Sequence, residues 1–208
     1  MLRFRAEGGE SGGGEIETEA VPYPVFMSLT GRRCVTVGGG KVAGRKARRL
    51  LQARAHVVVV SPEVDEELAA MATEVHRRRY RPGDLEGAFL AFAATDSREV
   101  NAAVAREAKR LGVPVNVADR PEEGDFALPS TLRRGGLQVA VSTGGASPVL
   151  EREVRMRLER LFGPEWAGLV EEVRREREAW LAGEGTEETE RYSRLKAEVD
   201  LCLSRISG

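Results

Sequence analysis

The segment that most constrains the fold is Cys34-Val-Thr-Val-Gly-Gly-Gly-Lys-Val-Ala-Gly-Arg-Lys-Ala47, where a short β-branched run breaks into three glycines and then into a helix-forming, basic stretch. This order suits a buried strand, a tight turn and a helix whose N-terminus opens on the turn, as in a dinucleotide cradle. Gly38 lets the backbone turn, Gly40 lets main-chain N–H groups approach a pyrophosphate, and Ala43 or Gly44 lets the helix pack close to the strand. The positive end of the helix then faces the phosphates. Gly38, Gly39, Gly40, Lys41, Val42 and Ala43 are the first candidate cofactor-binding residues. An ordinary strand-to-helix turn carries three glycines equally well, so the flanks must decide.

The flanks alternate. A helix over Val42–Ala53 leads to Val57-Val58-Val59-Val60, an unbroken apolar run suited to a parallel strand buried on both faces. Ser61-Pro62 ends that strand. Ser61 stands about 20 residues past the glycines, where NAD folds often place an acid for the ribose; Glu63 is the nearest acid. Ser61 and Pro62 join the cofactor candidates, and NAD is expected over NADP. Further along, 63–73 reads as a helix, 75–80 as a basic strand with Arg77–Arg79 on a solvated edge, and 88–94 as an apolar strand ending at Thr95-Asp96. Ser97 caps a helix that Gly112 ends, and 113–117 is the next strand, running into Asn116-Val-Ala-Asp119. Val25–Leu29 reads as an edge strand ahead of the glycine unit. The alternation implies an α/β, Rossmann-like, doubly wound parallel sheet. Ligands of such sheets sit outside the carboxyl ends of the strands, so the loops at Gly38, at Thr95 and Asp96, and at Asn116–Asp119 should border one cleft.

After Pro121 the rhythm changes. Phe126–Leu128 and Leu137–Val141 read as strands separated by a basic turn over Thr131–Gly136, and from Ser147 the chain is almost wholly helical, with Pro148 at a first-turn position. Gly163-Pro164 divides two helices, and a last helix spans Glu187–Ile206. The expected organisation is a disordered, glycine-rich leader over 1–20, an NAD-binding domain over 21–120, a small α+β dimerisation and substrate region over 121–150, and a helical C-terminal region over 151–208. The apolar face of 126–141 and the following helix would be exposed unless paired, which implies a homodimer.

Thirty-two basic and 33 acidic residues leave a net charge of −1, so no global field draws the chain to nucleic acid or an anionic membrane. No apolar run approaches the roughly 18 residues of a membrane span. Cys34 and Cys202 are too isolated for a disulfide framework or thiolate metal site, which suits a reducing cytoplasm. His56 and His76 have neither an i, i+4 partner nor a nearby cysteine, so no stable metal site is expected.

Six segments, Tyr23-Pro-Val-Phe26, Val37-Gly-Gly-Gly-Lys-Val-Ala-Gly-Arg-Lys46, Ala93-Ala-Thr-Asp96, Asn116-Val-Ala-Asp119, Phe126-Ala-Leu-Pro129 and Ser142-Thr-Gly-Gly-Ala-Ser-Pro-Val-Leu150, occur in an order that closely resembles the precorrin-2 dehydrogenase and sirohydrochlorin ferrochelatase family, the N-terminal module of siroheme synthases. The resemblance covers about Tyr23–Leu161. It implies NAD-dependent oxidation of precorrin-2 to sirohydrochlorin, with Fe²⁺ insertion in some members, and a tetrapyrrole lying between the two parts of the chain. Asp119 matches the family's aspartate, implied to be the general base and, in chelating members, to assist a transient Fe²⁺ nearby. Asn116, Arg120, Ser142, Gly144, Gly145 and Ser147 are the implied substrate-binding residues. Ser147-Pro148 is also a good helix start in any protein. The competing reading is a regulatory module that senses NAD or ATP and docks on a partner through its C-terminal helices; an inactive scaffold is a third.

Overall fold

Five parallel strands form one sheet in the order β3-β2-β1-β4-β5. The computed structural model describes residues 22–181 and scattered positions between 192 and 204. The leader lies outside the described residues, as does most of the helix expected over Glu187–Ile206, whose described positions are helical. The chain divides into two compact units, one ending at Leu128 and one beginning at Pro129.

In the first unit β1 (Arg33–Val37), α1 (Lys41–Gln52), β2 (His56–Val60), α2 (Glu66–Met71), β3 (Glu74–His76), β4 (Leu90–Ala93), α3 (Arg98–Leu111) and β5 (Val115–Val117) follow in chain order. β1 pairs with β2 on one side and β4 on the other, which buries Cys34–Val37 and explains their run of small and β-branched residues. Alternation along the strands divides the core. Cys34, Val57, Val59 and Phe92 face Ala43, Ala47 and Leu50 of α1 and Leu68 of α2. Val35, Val37, Val58, Val60, Ala91, Val115 and Val117 face Val104 and Ala108 of α3. The α/β class and doubly wound sheet expected from the sequence are what the chain forms.

Local chemistry sets the helix ends. Ser97 Oγ accepts from the Val100 N–H at 3.4 Å, and Gly112 ends α3 in the left-handed region at φ 67°. Asp65 caps α2, so that helix begins at Glu66 and is shorter than the expected 63–73. The expected strand over 75–80 reduces to Glu74–His76, because Arg78 leaves the sheet to bind Asp84 at 2.6 and 2.8 Å instead of lining a solvated edge. Val25–Leu29 is not a strand: it pairs with no strand of the sheet, and Tyr23, Val25, Phe26 and Met27 are exposed in a segment without regular structure.

The second unit opens with a hairpin of β6 (Ser130–Arg134) and β7 (Leu137–Val141), paired antiparallel. Two expectations are corrected here. Phe126–Leu128 is not a strand; Phe126 and Leu128 pack against the α1 side of the first core. The basic stretch 131–136 is mostly β6, with only Gly135 (φ 55°) and Gly136 turning. Leu132 is buried in that strand while the charged Arg133 beside it is exposed, a period-2 pattern that the arginines mask in sequence. α4 (Pro148–Leu161) and α5 (Glu165–Leu181) follow, and Arg134 ties β6 to α4 by donating to the carbonyls of Phe162 (2.8 Å) and Glu159 (3.4 Å).

Candidate active site

The order β3-β2-β1-β4-β5 places the switch point of the sheet between β1 and β4, where a crevice opens at the carboxyl ends. Its floor is the glycine turn. Gly38 has φ 124°, and a Cβ there would collide with the Ala94 carbonyl at the end of β4. A Cβ on Gly39 would collide with the carbonyl of Glu63 in the loop after β2. Those two glycines are therefore required by the protein's own backbone. Gly40 differs, because it has ordinary extended backbone and nothing within 4 Å of its Cβ direction. It caps α1 with no side-chain acceptor, and no acid occupies the first turn. The leading N–H groups of Lys41, Val42 and Ala43 have no carbonyl one turn earlier to accept them, so they form the positive end of the helix beside open space. This arrangement fits a pyrophosphate. A cavity of about 310 Å³ adjoins it, lined by Gly40, Lys41, Gly44, Arg45, Asp65 and Leu68 among others. Ala43, fully buried, provides the close helix packing, whereas Gly44 meets open space.

Ser61 is buried at the end of β2, and its N–H donates to His76 O at 3.1 Å; Pro62 is exposed. Asp65 is engaged with its own helix, accepting from Glu67 N and Leu68 N at 3.0 and 3.4 Å. Glu63 contributes its carbonyl to the packing against Gly39.

At the other side of the switch point, Thr95 and Asp119 follow β4 and β5, and one side chain joins them. Asn101, on α3, is completely buried. Its Oδ1 accepts from Thr95 N at 3.1 Å and lies 2.8 Å from Thr95 Oγ1; its Nδ2 donates to Thr95 O at 3.0 Å and to Asp119 Oδ1 at 2.8 Å. The other carboxylate oxygen, Oδ2, is 3.9 Å from Arg98 Nε, beyond hydrogen-bond length, and the Asp119 side chain is 36% exposed. Arg98 is itself paired with Glu123. Asp96 is exposed beside Thr95, and Arg120 is exposed with Glu122 at 3.3 Å. Sequence reasoning missed Asn101. The available signal was its place with Val104 and Ala108 on one stripe, a polar residue at a spacing that otherwise turns apolar side chains inward.

Asn116, expected at the substrate, is engaged within the protein. It is 6% exposed, and both ends of its amide are used internally: Oδ1 accepts from Lys46 Nζ at 2.5 Å and Nδ2 donates to Phe126 O at 2.8 Å. Lys46 also lies over the Phe92 ring, which Phe126 meets edge-on. Burial, then the charges of Arg49 and Arg45, push the Lys46 ammonium down to about 8.

Ser142, Gly144, Gly145 and Ser147 belong to the second unit, in the loop between β7 and α4. Gly144 (φ 63°) and Gly145 (φ 86°) turn the chain in the left-handed region. Ser147 Oγ caps α4 by accepting from Leu150 N at 3.1 Å, and Pro148 follows at the first helical position. Thr143 stiffens the loop: its N–H and hydroxyl donate to Glu151 at 2.9 and 3.1 Å, and its Oγ1 accepts from Ser147 N at 3.0 Å.

A family model described as "Putative NAD(P)-binding" matches residues 25–130, and one described as "Sirohaem biosynthesis protein central" matches 134–161. The chain belongs to the siroheme synthase and precorrin-2 dehydrogenase family. The siroheme synthase of Nitrosomonas eutropha is 45% identical over 145 residues, covering 67% of this chain and 30% of its own length. That of Methylobacillus flagellatus is 48% identical over 143 residues, covering 67% and 31%. The chain thus spans about a third of the length of these relatives. Among solved structures, SirC, a precorrin-2 dehydrogenase, matches with a TM-score of 0.70 at 25% identity, covering 89% of this chain and 99% of SirC. The family resemblance seen in the sequence is borne out, and the glycine turn lies within the segment that the NAD(P)-binding family model matches.

Proposed function

We propose that this chain is an NAD-dependent precorrin-2 dehydrogenase acting in siroheme biosynthesis. The observation that carries the reading is the pairing, at one switch point, of an open anion cradle at Gly40 with a carboxylate, Asp119, held by a buried amide at the next strand ends. The near-complete coverage of SirC supports it, as does the sirohaem-type segment at 134–161, which a nucleotide sensor has no need for.

Gly38–Ala43 would hold the pyrophosphate of NAD⁺, with Ser61, Pro62, Thr95 and Asp96 along its length. When bound, the oxidised nicotinamide supplies an acceptor for two electrons and one hydrogen as hydride. The chain's own residues do the rest. Asp119 takes the hydrogen that leaves precorrin-2 as a proton, so the substrate loses a hydride and a proton and gains a double bond. The macrocycle carries several carboxylates, for which Arg120 and the backbone N–H groups of the Ser142–Ser147 turn are the proposed partners. Within this reading the enzyme is cytoplasmic and homodimeric. The dimer is supported by α4, which buries no residue and exposes Val149, Leu150 and Leu161 at 70%, 52% and 69%. The test is anaerobic NADH formation from precorrin-2 and NAD⁺ by the purified chain: turnover is expected, and tight NAD⁺ binding with no turnover would favour the sensor.

A further inference from the structure

We infer that Asn101 is the positioning residue for Asp119, fixing which of its two oxygens takes the substrate's proton; this rests on the reading of Asp119 as the base. An amide has one acceptor end and one donor end, and here both are committed. Thr95 presents its N–H to Oδ1 and its carbonyl to Nδ2, so turning the amide over would set oxygen against oxygen and nitrogen against nitrogen. The amide is therefore locked with a donor hydrogen facing Asp119. Asp119 Oδ1 accepts that hydrogen at 2.8 Å and is occupied. Oδ2 accepts no hydrogen bond from any described residue, its nearest cation being 3.9 Å away, and it belongs to an exposed side chain. Oδ2 is left as the oxygen that accepts the proton, while the electron pair of the other broken bond leaves with the hydride.

The same amide makes Thr95 and Asp119 one rigid piece. Thr95 lies in the loop of the cofactor crevice, so the distance between hydride acceptor and proton acceptor is set through a single buried side chain. Burial makes this hold firm: with no exposure to water, every bond Asn101 gives up is left unpaired. An unconstrained carboxylate could still bind beside the substrate, yet it would sample rotamers in which Oδ2 points elsewhere, and misplacement of about 1 Å is enough to cost roughly 10²-fold in rate.

The test is steady-state NADH formation by Asn101→Ala, Asn101→Asp and Asp119→Asn, and by both Asn101 substitutions in the Asp119→Asn background. Asn101→Asp keeps the acceptor for Thr95 N and replaces the donor facing Asp119 with an oxygen, and thermal melts with NAD⁺ binding select the variants that remain folded. For the single Asn101 variants, kcat is expected to fall about 10- to 100-fold while KM for precorrin-2 and Kd for NAD⁺ stay within about 2-fold. In the Asp119→Asn background the same substitutions should change kcat by less than about 2-fold, because there is no base left to position. A single variant with parental kcat, or an undiminished loss in the Asp119→Asn background, would overturn the inference. Should Asp119→Asn itself keep parental kcat, the base assignment fails instead.

Discussion

Gly38 lies against the carbonyl of Ala94 so closely that no side chain fits between the ends of β1 and β4. The contact closes the floor of the crevice, and it separates two kinds of glycine in one triplet. Gly38→Ala is expected to destabilise the fold, since it adds a collision to a φ of 124°. Gly40→Ala faces open space in ordinary backbone and should cost much less stability, the modest loss of a poorer N-cap, while weakening NAD⁺ binding by about tenfold or more, which is about 1.4 kcal/mol. Thermal melts and NAD⁺ calorimetry on the two variants check this. Equal effects on stability would remove the distinction.

Thr36 Oγ1, in the middle of β1, is fully buried with no hydrogen-bond partner among the described residues. Burying a hydroxyl without a partner costs about 1–3 kcal/mol, and valine has the same shape without that cost. Thr36→Val should raise the stability by about 1 kcal/mol in denaturant melts. A loss of stability would show that the hydroxyl is satisfied.

Lys46 gives a pH signature. Folding lowers its ammonium from the usual 10.5 to about 8, chiefly through burial. Between those two values the unfolded chain holds the proton and the folded chain does not, so this group makes stability rise with pH across that window. The stability of the parent relative to Lys46→Met should therefore increase from pH 8 to pH 10. Parallel curves would place the lysine in water.

Cys34 is fully buried on β1, and burial pushes its thiol up to about 11. In a Cys202→Ser background it should resist thiol reagents at pH 8 in the folded state and react on unfolding. Rapid labelling of the folded protein would contradict its place in the core.

What the sequence disclosed was chemistry carried by neighbours in the chain. The glycine turn, Ser97 and Gly112 around α3, Ser147-Pro148 before α4 and the four-valine strand each have their cause within a few residues, and each stands where it was read. What it hid depends on distant partners. Arg78 leaves the strand register for Asp84, the 22–29 segment joins neither open edge of the sheet, and β6 reads as a basic turn until Leu132 is seen to be buried. Asn101 and Asp119 are 18 positions apart and meet only because α3 packs across β4 and β5. Asn116 shows the converse: a residue singled out by its motif is used inside the protein, between Lys46 and Phe126.

The most direct measurement is anaerobic NADH formation from precorrin-2 by Asp119→Asn, with NAD⁺ binding followed in the same preparation. If Asp119 is the base, NAD⁺ binds as to the parent and kcat falls by about 10²-fold or more. Parental turnover by a folded Asp119→Asn enzyme would contradict it.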